Sequence, residues 1–340
     1  TRDSSDLHLG VGDQPRMRLD GALKPLETQL VDKQWMRQSI VSLLGQPGLE
    51  KVDTKFDADG GFRYGSEKFR INAGANSLGP TLAIRRLSSE IPTMDKLNLP
   101  SAIRNFTELE RGLVLVTGPT GSGKSTTLAA VLSEIGVSQP RHMITLEDPI
   151  EYELPQRKGR VQQRELGSSF TSFSDGIRQS LRQDPDVILV GEARDMETIR
   201  SAVTAAETGA LVFATLHTYD AASTIGRIIN TFPEGEQAQI RAQLAYVLKG
   251  VVSQTLCQRT GGGRVAAFEI LVGTNAVANN LRKIDGLNGL RQVIVSGAKD
   301  GMQTIESHLA DLVRLGQITE DEARYKAREV GEFEQYLNAE

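Results

Sequence analysis

Short runs of apolar residues without polar alternation recur through the middle of the chain. Such runs are typical of strands buried on both faces of a parallel sheet. Segments with helical spacing separate them, and this alternation predicts an α/β domain with crossover helices. The predicted strands are Leu113–Thr117, Met143–Leu146, Val187–Val190 and Leu211–Thr215, and the predicted helices are Lys124–Glu134, Ser174–Arg182 and Met196–Glu207.

The first hundred residues have a different pattern, which predicts a smaller α+β domain. Apolar residues recur at helical spacing over Gln29–Leu44, and the flanking segments favour strands. Prolines near residues 92 and 100 mark a linker, and the segment after Gly273 is mostly helical, with a capping box that begins at Thr319. We therefore predict domains at residues 1–91 and 101–340, joined by a linker at 92–100. The predicted N-terminal strands are Asp6–Val11, Pro15–Leu19, Gly61–Ala73 with an interruption at Gly65-Ser66, and Thr81–Leu87.

Composition and charge narrow the class of protein. Hydrophobic residues make up 39% and charged residues 24%, which indicates a folded globular chain and not a disordered one. The net charge of −4 gives no sign of a nucleic-acid-binding surface, and no apolar run reaches the roughly 20 residues of a membrane-spanning helix. Cys257 is the single cysteine, so an internal disulfide and a cysteine-rich zinc site are excluded. We expect a cytoplasmic protein in which Cys257 is structural.

The segment Gly118–Ser125 fits the phosphate-loop pattern G-x-x-x-x-G-K-[ST]. Glycines let backbone N–H groups approach phosphate oxygens, and the helix that follows presents unpaired N-terminal donors. Lys124 supplies positive charge to the terminal phosphates, and the Ser125 hydroxyl can ligate Mg²⁺. We therefore expect ATP as the ligand, with Mg²⁺ on Ser125. The expected nucleotide-binding residues are Gly118, Thr120, Gly121, Ser122, Gly123, Lys124, Ser125 and Thr126.

Polar groups also follow the other predicted strands, where ligands gather in open α/β sheets. Glu192 follows an apolar strand, as in a Walker B element, and can either polarise the attacking water or hold a water on Mg²⁺. Glu147, with Asp148, can assist it or hold Mg²⁺-bound waters, although capping of the turn before Pro149 explains these carboxylates equally well. His217 is expected to sense the terminal phosphate, either by a direct hydrogen bond or by positioning Glu192.

Together these motifs resemble the PilT-type ATPases, the motors that retract bacterial type IV pili, within the secretion-ATPase superfamily. The resemblance covers nearly the whole chain. Besides the phosphate loop, it rests on Ile144–Glu151, which resembles the family's Asp box, on Asp184–Asp195, which resembles its Walker B element, and on Thr208–Thr218, which resembles its His box.

The resemblance implies a homohexameric ring in which each subunit pairs a PAS-like N-terminal domain with a RecA-like ATPase domain. It also implies a peripheral seat on the cytoplasmic face of the inner membrane, against a pilus assembly platform protein. It assigns the main catalytic carboxylate to Glu192 and its partner to Glu147. Arg70 and Arg85 match N-domain arginines able to reach a neighbour's nucleotide, and Arg194 matches a motif arginine near the Walker B strand.

One departure from the family's motifs bears on which system the motor acts on. Retraction motors carry Ala-Ile-Arg-Asn after the ATPase core, whereas Ala276–Asn279 here has Ala278 at the arginine position. A PilU-like accessory motor and a transport ATPase of a type IV secretion or conjugative pilus system therefore remain open beside pilus retraction. A nucleotide-dependent scaffold without turnover is a third alternative. A nucleic-acid translocase is disfavoured by the acidic balance and by the lack of a basic, aromatic-rich tract.

Overall fold

The computed structural model describes residues 4–19, 22–65, 67–87 and 90–339. The chain divides into two compact units. The N-terminal unit comprises Thr1–Glu90 with Glu151–Glu153, and the larger unit comprises Ile91–Ile150 with Leu154–Glu340.

The N-terminal unit is built on an antiparallel sheet of six strands in the order β3-β2-β1-β6-β5-β4. The predicted strand Gly61–Ala73 is in fact parts of two strands, β4 and β5. Ser66, in the predicted interruption, lies outside the described residues. The strand β3 was not predicted. The strands are β1 (Ser4–Gly10), β2 (Arg16–Leu19), β3 (Ala22–Pro25), β4 (Asp57–Tyr64), β5 (Glu67–Asn76) and β6 (Gly79–Leu87).

The helix α1 (Lys33–Lys55) packs on this sheet and is longer than the predicted Gln29–Leu44. Asp32 is the N-cap of this helix, and its side chain accepts hydrogen bonds from the backbone N–H groups of Gln34 and Trp35. The helix kinks at Gly45, where φ is 73°, two residues before Pro47. Proline lacks an N–H and disfavours helical geometry in the preceding residue. The helical spacing of apolar residues therefore ends before Pro47, although the helix itself continues beyond the kink to Lys55.

The larger unit contains a seven-stranded sheet in the order β13-β12-β7-β11-β10-β8-β9. All neighbouring pairs are parallel except β12 and β13. The four predicted strands are present and adjacent, as β7, β11, β10 and β8, whereas the other three were not predicted. The strands are β7 (Gly112–Thr117), β8 (His142–Glu147), β9 (Arg160–Glu165), β10 (Val187–Val190), β11 (Leu211–Leu216), β12 (Leu248–Gln258) and β13 (Arg264–Val272).

Helices cover both faces of this sheet. Alternate residues of β7 show the two layers, because Val114 and Val116 pack with α3 while Leu113 and Leu115 face the opposite core. The prediction of an α/β fold is therefore confirmed. The helices are α2 (Ser101–Asn105), α3 (Lys124–Ser138), α4 (Phe173–Ser180), α5 (Met196–Glu207), α6 (Ala221–Asn230), α7 (Glu234–Val247), α8 (Asn275–Arg282), α9 (Leu290–Ser296), α10 (Ile305–Arg314), α11 (Glu320–Lys326) and α12 (Val330–Asn338).

Helical structure dominates the chain after β13, as predicted, and Thr319 caps α11 by accepting a hydrogen bond from the Glu322 backbone N–H. Cys257 lies in β12 and is buried. Across the described ranges, none of the helices is both long and apolar enough to cross a bilayer.

Candidate nucleotide-binding site

The phosphate loop connects β7 to α3 and has a backbone that glycine alone adopts easily. Gly118, Gly121 and Gly123 have φ values of 144°, 80° and 90°. A Cβ atom at Gly118 would lie 2.3 Å from the backbone oxygen of Gln254, so the loop lies tightly against β12 on that side. At Gly121, by contrast, the space is open within 4 Å. The loop is therefore packed on one side and accessible at its tip.

The start of α3 provides donors for an anion. Its N-cap residue, Gly123, makes no side-chain cap hydrogen bond, and the first turn of a helix directs its N–H groups toward a bound anion. Lys124 is buried, and its Nζ donates to the backbone oxygens of Gly118 at 2.7 Å and Pro119 at 3.1 Å. The Ser122 hydroxyl is buried without a hydrogen-bond partner among the described residues. A positive charge, a helix N-terminus and a buried hydroxyl that has no hydrogen-bond partner in the described part of the chain, all in one glycine-rich loop, fit a phosphate group.

The strand order brings the other predicted site segments beside this loop. At the carboxyl edge of the sheet, β7 is followed in turn by β11, β10 and β8, so the segments that begin at Gly118, His217, Gly191 and Glu147 lie along one edge. The backbone N–H of Gly191 donates to the oxygen of Leu146 at 2.7 Å. The N–H of Ala193 donates to the oxygen of Thr215 at 3.0 Å. The segment that carries Glu192 is thus held between the ends of β8 and β11.

Glu192 is held by two cationic or potentially cationic side chains. His217 Nε2 lies 3.0 Å from Glu192 Oε1, and Arg194 Nε donates to the same oxygen. The hydrogen bond to Glu192 is the main cause that raises the pKa of Arg194. The side chain of Glu192 is 19% exposed and that of Arg194 is 72% exposed. The carboxylate is therefore oriented from two sides and remains reachable by water.

Glu147 ends β8 and is fixed by uncharged donors. Thr145 Oγ1 donates to Glu147 Oε1 at 2.6 Å, and Gln163 Nε2 donates to the same oxygen at 3.0 Å. A Cβ atom at Gly191 would lie 3.1 Å from the Glu147 Cα atom, so the ends of β8 and β10 approach closely. The structure therefore places Glu147 and the segment that carries Glu192 at neighbouring strand ends.

Arg70 and Arg85 belong to the N-terminal unit, whereas the phosphate loop belongs to the larger unit. They are directly opposite each other on β5 and β6. Arg85 Nε donates to Asp6 Oδ1 at 2.6 Å, and Arg70 lies 3.9 Å from Asp59. Like charges in directly opposite positions repel each other. The nearby carboxylates of Asp6 and Asp59 offset this repulsion. The Arg85 side chain remains 61% exposed.

Sequence reasoning missed one residue of the site, Gln254 on β12. This residue is 4% exposed. Its Oε1 accepts from Thr127 Oγ1 at 2.9 Å, and its Nε2 donates to the Ser122 backbone oxygen at 2.8 Å. The available signal was the polar stretch Ser253-Gln254-Thr255 between the apolar residues of the same segment. That signal did not reveal that the segment pairs with the strand before the phosphate loop.

Comparison with known proteins places the chain in a family. Residues 2–329 match the family described as type II/IV secretion system protein. The chain belongs to this family. The phosphate loop and the three strand-end segments are all contained in the matched range.

Individual members of the family are similar over nearly their whole length. The chain is 42% identical over 326 residues to the type IV pilus retraction ATPase PilT of Pseudomonas aeruginosa, covering 96% of this chain and 94% of that protein. It is 34% identical to the type IV pilus ATPase PilU of the same organism, covering 95% and 85%. The crystal structure of the pilus retraction motor PilT with bound ADP is 40% identical, covers 98% of this chain and 95% of that one, and has a TM-score of 0.89.

The position that departs from the retraction motif lies in α8. Thr274 caps this helix, and the backbone N–H of Ala278 donates to the Thr274 oxygen at 2.9 Å. Two residues of α8, Val277 and Leu281, are buried, whereas Ala278 on the same helix is half-buried. Ala278 therefore lies outside the fully buried face of α8.

Proposed function

We propose that the chain is a motor ATPase whose hydrolysis of ATP drives retraction of a type IV pilus. The observation that carries the proposal is the Glu192 carboxylate, held 3.0 Å from His217 at the same carboxyl edge of the sheet as the phosphate loop. A loop alone needs only to bind a nucleotide, whereas an oriented carboxylate next to it is what activation of water requires. Similarity to the retraction ATPase PilT over nearly the whole chain supports the choice of client.

In this proposal the loop and the start of α3 hold the nucleotide. Backbone N–H groups and Lys124 contact the phosphates, with Thr120, Ser122 and Thr126 lining the loop, and the Ser125 hydroxyl ligates Mg²⁺. Mg²⁺ neutralises charge that develops on the terminal phosphates. The Lys124 ammonium group exchanges its hydrogen bonds to the Gly118 and Pro119 oxygens for hydrogen bonds to phosphate oxygens. The exchange replaces one oxygen acceptor with another at a side chain that is already buried in the loop.

The proton of the attacking water passes to Glu192, whose carboxylate Arg194 and His217 orient. His217 lies on β11, between the strand that leads to the loop and the strand that leads to Glu192. It is therefore suited to couple the presence of the terminal phosphate to the position of the carboxylate. Glu147, fixed by Thr145 and Gln163, assists from the far side of Glu192.

We further propose that the protein works as a homohexamer on the cytoplasmic face of the inner membrane, attached only through a pilus assembly platform protein and without nucleic acid. Arg70 and Arg85 of one subunit would stabilise the phosphates held by its neighbour. Their position in the N-terminal unit and the exposure of Arg85 support an intersubunit role. Substitution of Arg85 by alanine should then lower turnover, and undiminished activity of Arg85→Ala hexamers would end this assignment.

A PilU-like accessory motor is the second candidate. Ala278 favours it, because the arginine of the retraction motif is missing from α8. Similarity to PilU over 95% of the chain also supports it. The two candidates share the chemistry of the site and differ in the partner that receives the motion.

Phosphate release under steady-state conditions tests the catalytic part of the proposal. Glu192→Gln keeps the size of the side chain and one acceptor oxygen but removes its basicity, so we expect the rate to fall at least about 100-fold. Glu197→Gln is the matched control, because its exposed carboxylate lies at the start of α5 and its nearest basic partner, Arg178, is 4.0 Å away. Equal rates in Glu192→Gln and wild type would overturn the proposal.

A further inference from the structure

Gln254 connects three parts of the phosphate site at once. Its Oε1 accepts from Thr127 in the first turn of α3, and its Nε2 donates to the Ser122 backbone oxygen in the loop. Its own backbone oxygen lies where a Cβ atom of Gly118 would come within 2.3 Å. The side chain is almost completely buried.

We propose that Gln254 is a positioning residue that sets the orientation of the phosphate loop before ATP binds, an inference that rests on the proposed ATPase function. In a planar trans peptide, the carbonyl oxygen and the following N–H point in opposite directions. Because the Gln254 amide on β12 donates to the Ser122 oxygen, the N–H of Gly123 in the same peptide points away from the Gln254 amide. Gln254 thereby orients a phosphate-binding N–H before ATP binds, which lowers the entropy cost of binding.

The geometry depends on the register between β12 and β7. Ser253 is paired with Thr117, the last residue of β7, and Thr117 Oγ1 donates to Ser253 Oγ at 2.9 Å. This register places the next residue, Gln254, level with Gly118 and the loop. The hydrogen bond between the two hydroxyls is fully buried, so it fixes the register at the point where the strand gives way to the loop.

The chemistry of the amide explains why glutamine occupies this position. The site presents one donor, the Thr127 hydroxyl, and one acceptor, the Ser122 oxygen, and a glutamine amide satisfies both. Glutamate offers only acceptors at neutral pH and would face the Ser122 oxygen with a negative charge. Methionine has a similar length and satisfies neither group. The two substitutions therefore separate the donor function from the shape of the side chain.

The test compares Gln254→Met, Gln254→Glu and Thr127→Val by the KM and kcat for ATP and by the Kd of a fluorescent ATP analogue. Removal of one buried partner costs about the equivalent of a tenfold change in binding. We therefore expect KM and Kd to rise about tenfold in both Gln254 variants and about threefold in Thr127→Val. The kcat should change less than about twofold, because the side-chain hydrogen bonds of Gln254 go to Thr127 and the Ser122 oxygen and leave the bonds that orient Glu192 in place.

Gln303→Met is the matched control, because Gln303 also donates from a partly buried amide to a backbone oxygen, that of Phe268 at 3.0 Å, away from the phosphate loop. It should leave KM and Kd unchanged. Unchanged Kd in Gln254→Met, or an equal rise in Gln303→Met, would overturn the positioning role. Because Kd is measured without turnover, weakened binding in a chain that does not hydrolyse ATP would retain the positioning role and refute the ATPase instead. If Gln254→Met does not fold, Gln254→Glu decides by the same two measurements.

Discussion

A buried histidine in the C-terminal half makes the stability of the protein depend on pH. His308 on α10 accepts a hydrogen bond at Nδ1 from the Phe268 backbone N–H at 2.9 Å, and its ring stacks on Phe268 with centroids 5.7 Å apart. Burial lowers the pKa of His308 from 6.5 to about 4, although the nearby Asp311 opposes the shift. Protonation would also place a hydrogen on the atom that accepts from Phe268, so the neutral ring belongs to the folded state.

The sign and size of the effect follow from these two values. Because the pKa is lower in the folded chain, the unfolded chain binds more protons below pH 6.5, and the stability that His308 provides is lost as the pH falls toward 4. Between about pH 7 and about pH 5, this single group reduces the free energy of unfolding by about 2 kcal/mol. Lower still, near pH 4, the folded chain protonates as well and the loss levels off.

Urea denaturation at about pH 7 and about pH 5 measures this loss. His308→Gln provides the comparison, since its amide oxygen can still accept from Phe268 but does not titrate. We expect the wild type to lose about 2 kcal/mol more than the variant over this interval. The same pH dependence in both proteins would show that the ring is not held neutral by its surroundings.

Two further predictions concern buried groups in the larger unit. Burial raises the pKa of Cys257 to about 12, so we expect iodoacetamide to leave the native protein unlabelled by mass spectrometry under conditions that fully label the unfolded chain, and rapid native labelling would contradict this. Arg328→Leu should reduce the free energy of unfolding by about 3–5 kcal/mol, because it leaves Glu269, 3% exposed and 2.8 Å from Arg328 Nη1, without its cation. In urea denaturation Arg37→Leu, which breaks an exposed pair with Asp53, should cost less than about 1 kcal/mol, and equal costs in the two variants would refute the argument.

The central sheet could be predicted from sequence because its strands are buried on both faces. Val187–Val190 and its neighbours are continuous apolar runs, which is the signature of such strands. The edge strand β9 (Arg160–Glu165) is mostly polar and gave no such signal. The end of α1 was not predictable from local pattern, since a kink at Gly45 lets the helix continue past a proline. Local rules therefore identified the core strands and missed elements that tertiary packing maintains.

The candidate site divides in the same way. The loop and the carboxylates belong to short motifs at strand ends, which sequence reasoning located directly. Gln254 belongs to no motif, and its role depends on pairing between Ser253 and Thr117, which are 136 residues apart. The catalytic roles of Glu192 and His217, and the intersubunit role of Arg85, stay predictions that the structure supports by proximity or exposure.

Complementation in the host tests the central claim most directly. The gene is deleted, and the strain is complemented with the wild-type chain, with Glu192→Gln or with Glu197→Gln, each at equal abundance. If ATP hydrolysis at Glu192 drives retraction, the deletion strain and the Glu192→Gln strain accumulate excess pili and lose twitching. Complementation with the wild-type chain or with Glu197→Gln restores the normal number of pili and twitching. Unchanged pilus number on deletion, or full rescue by Glu192→Gln, would contradict the account.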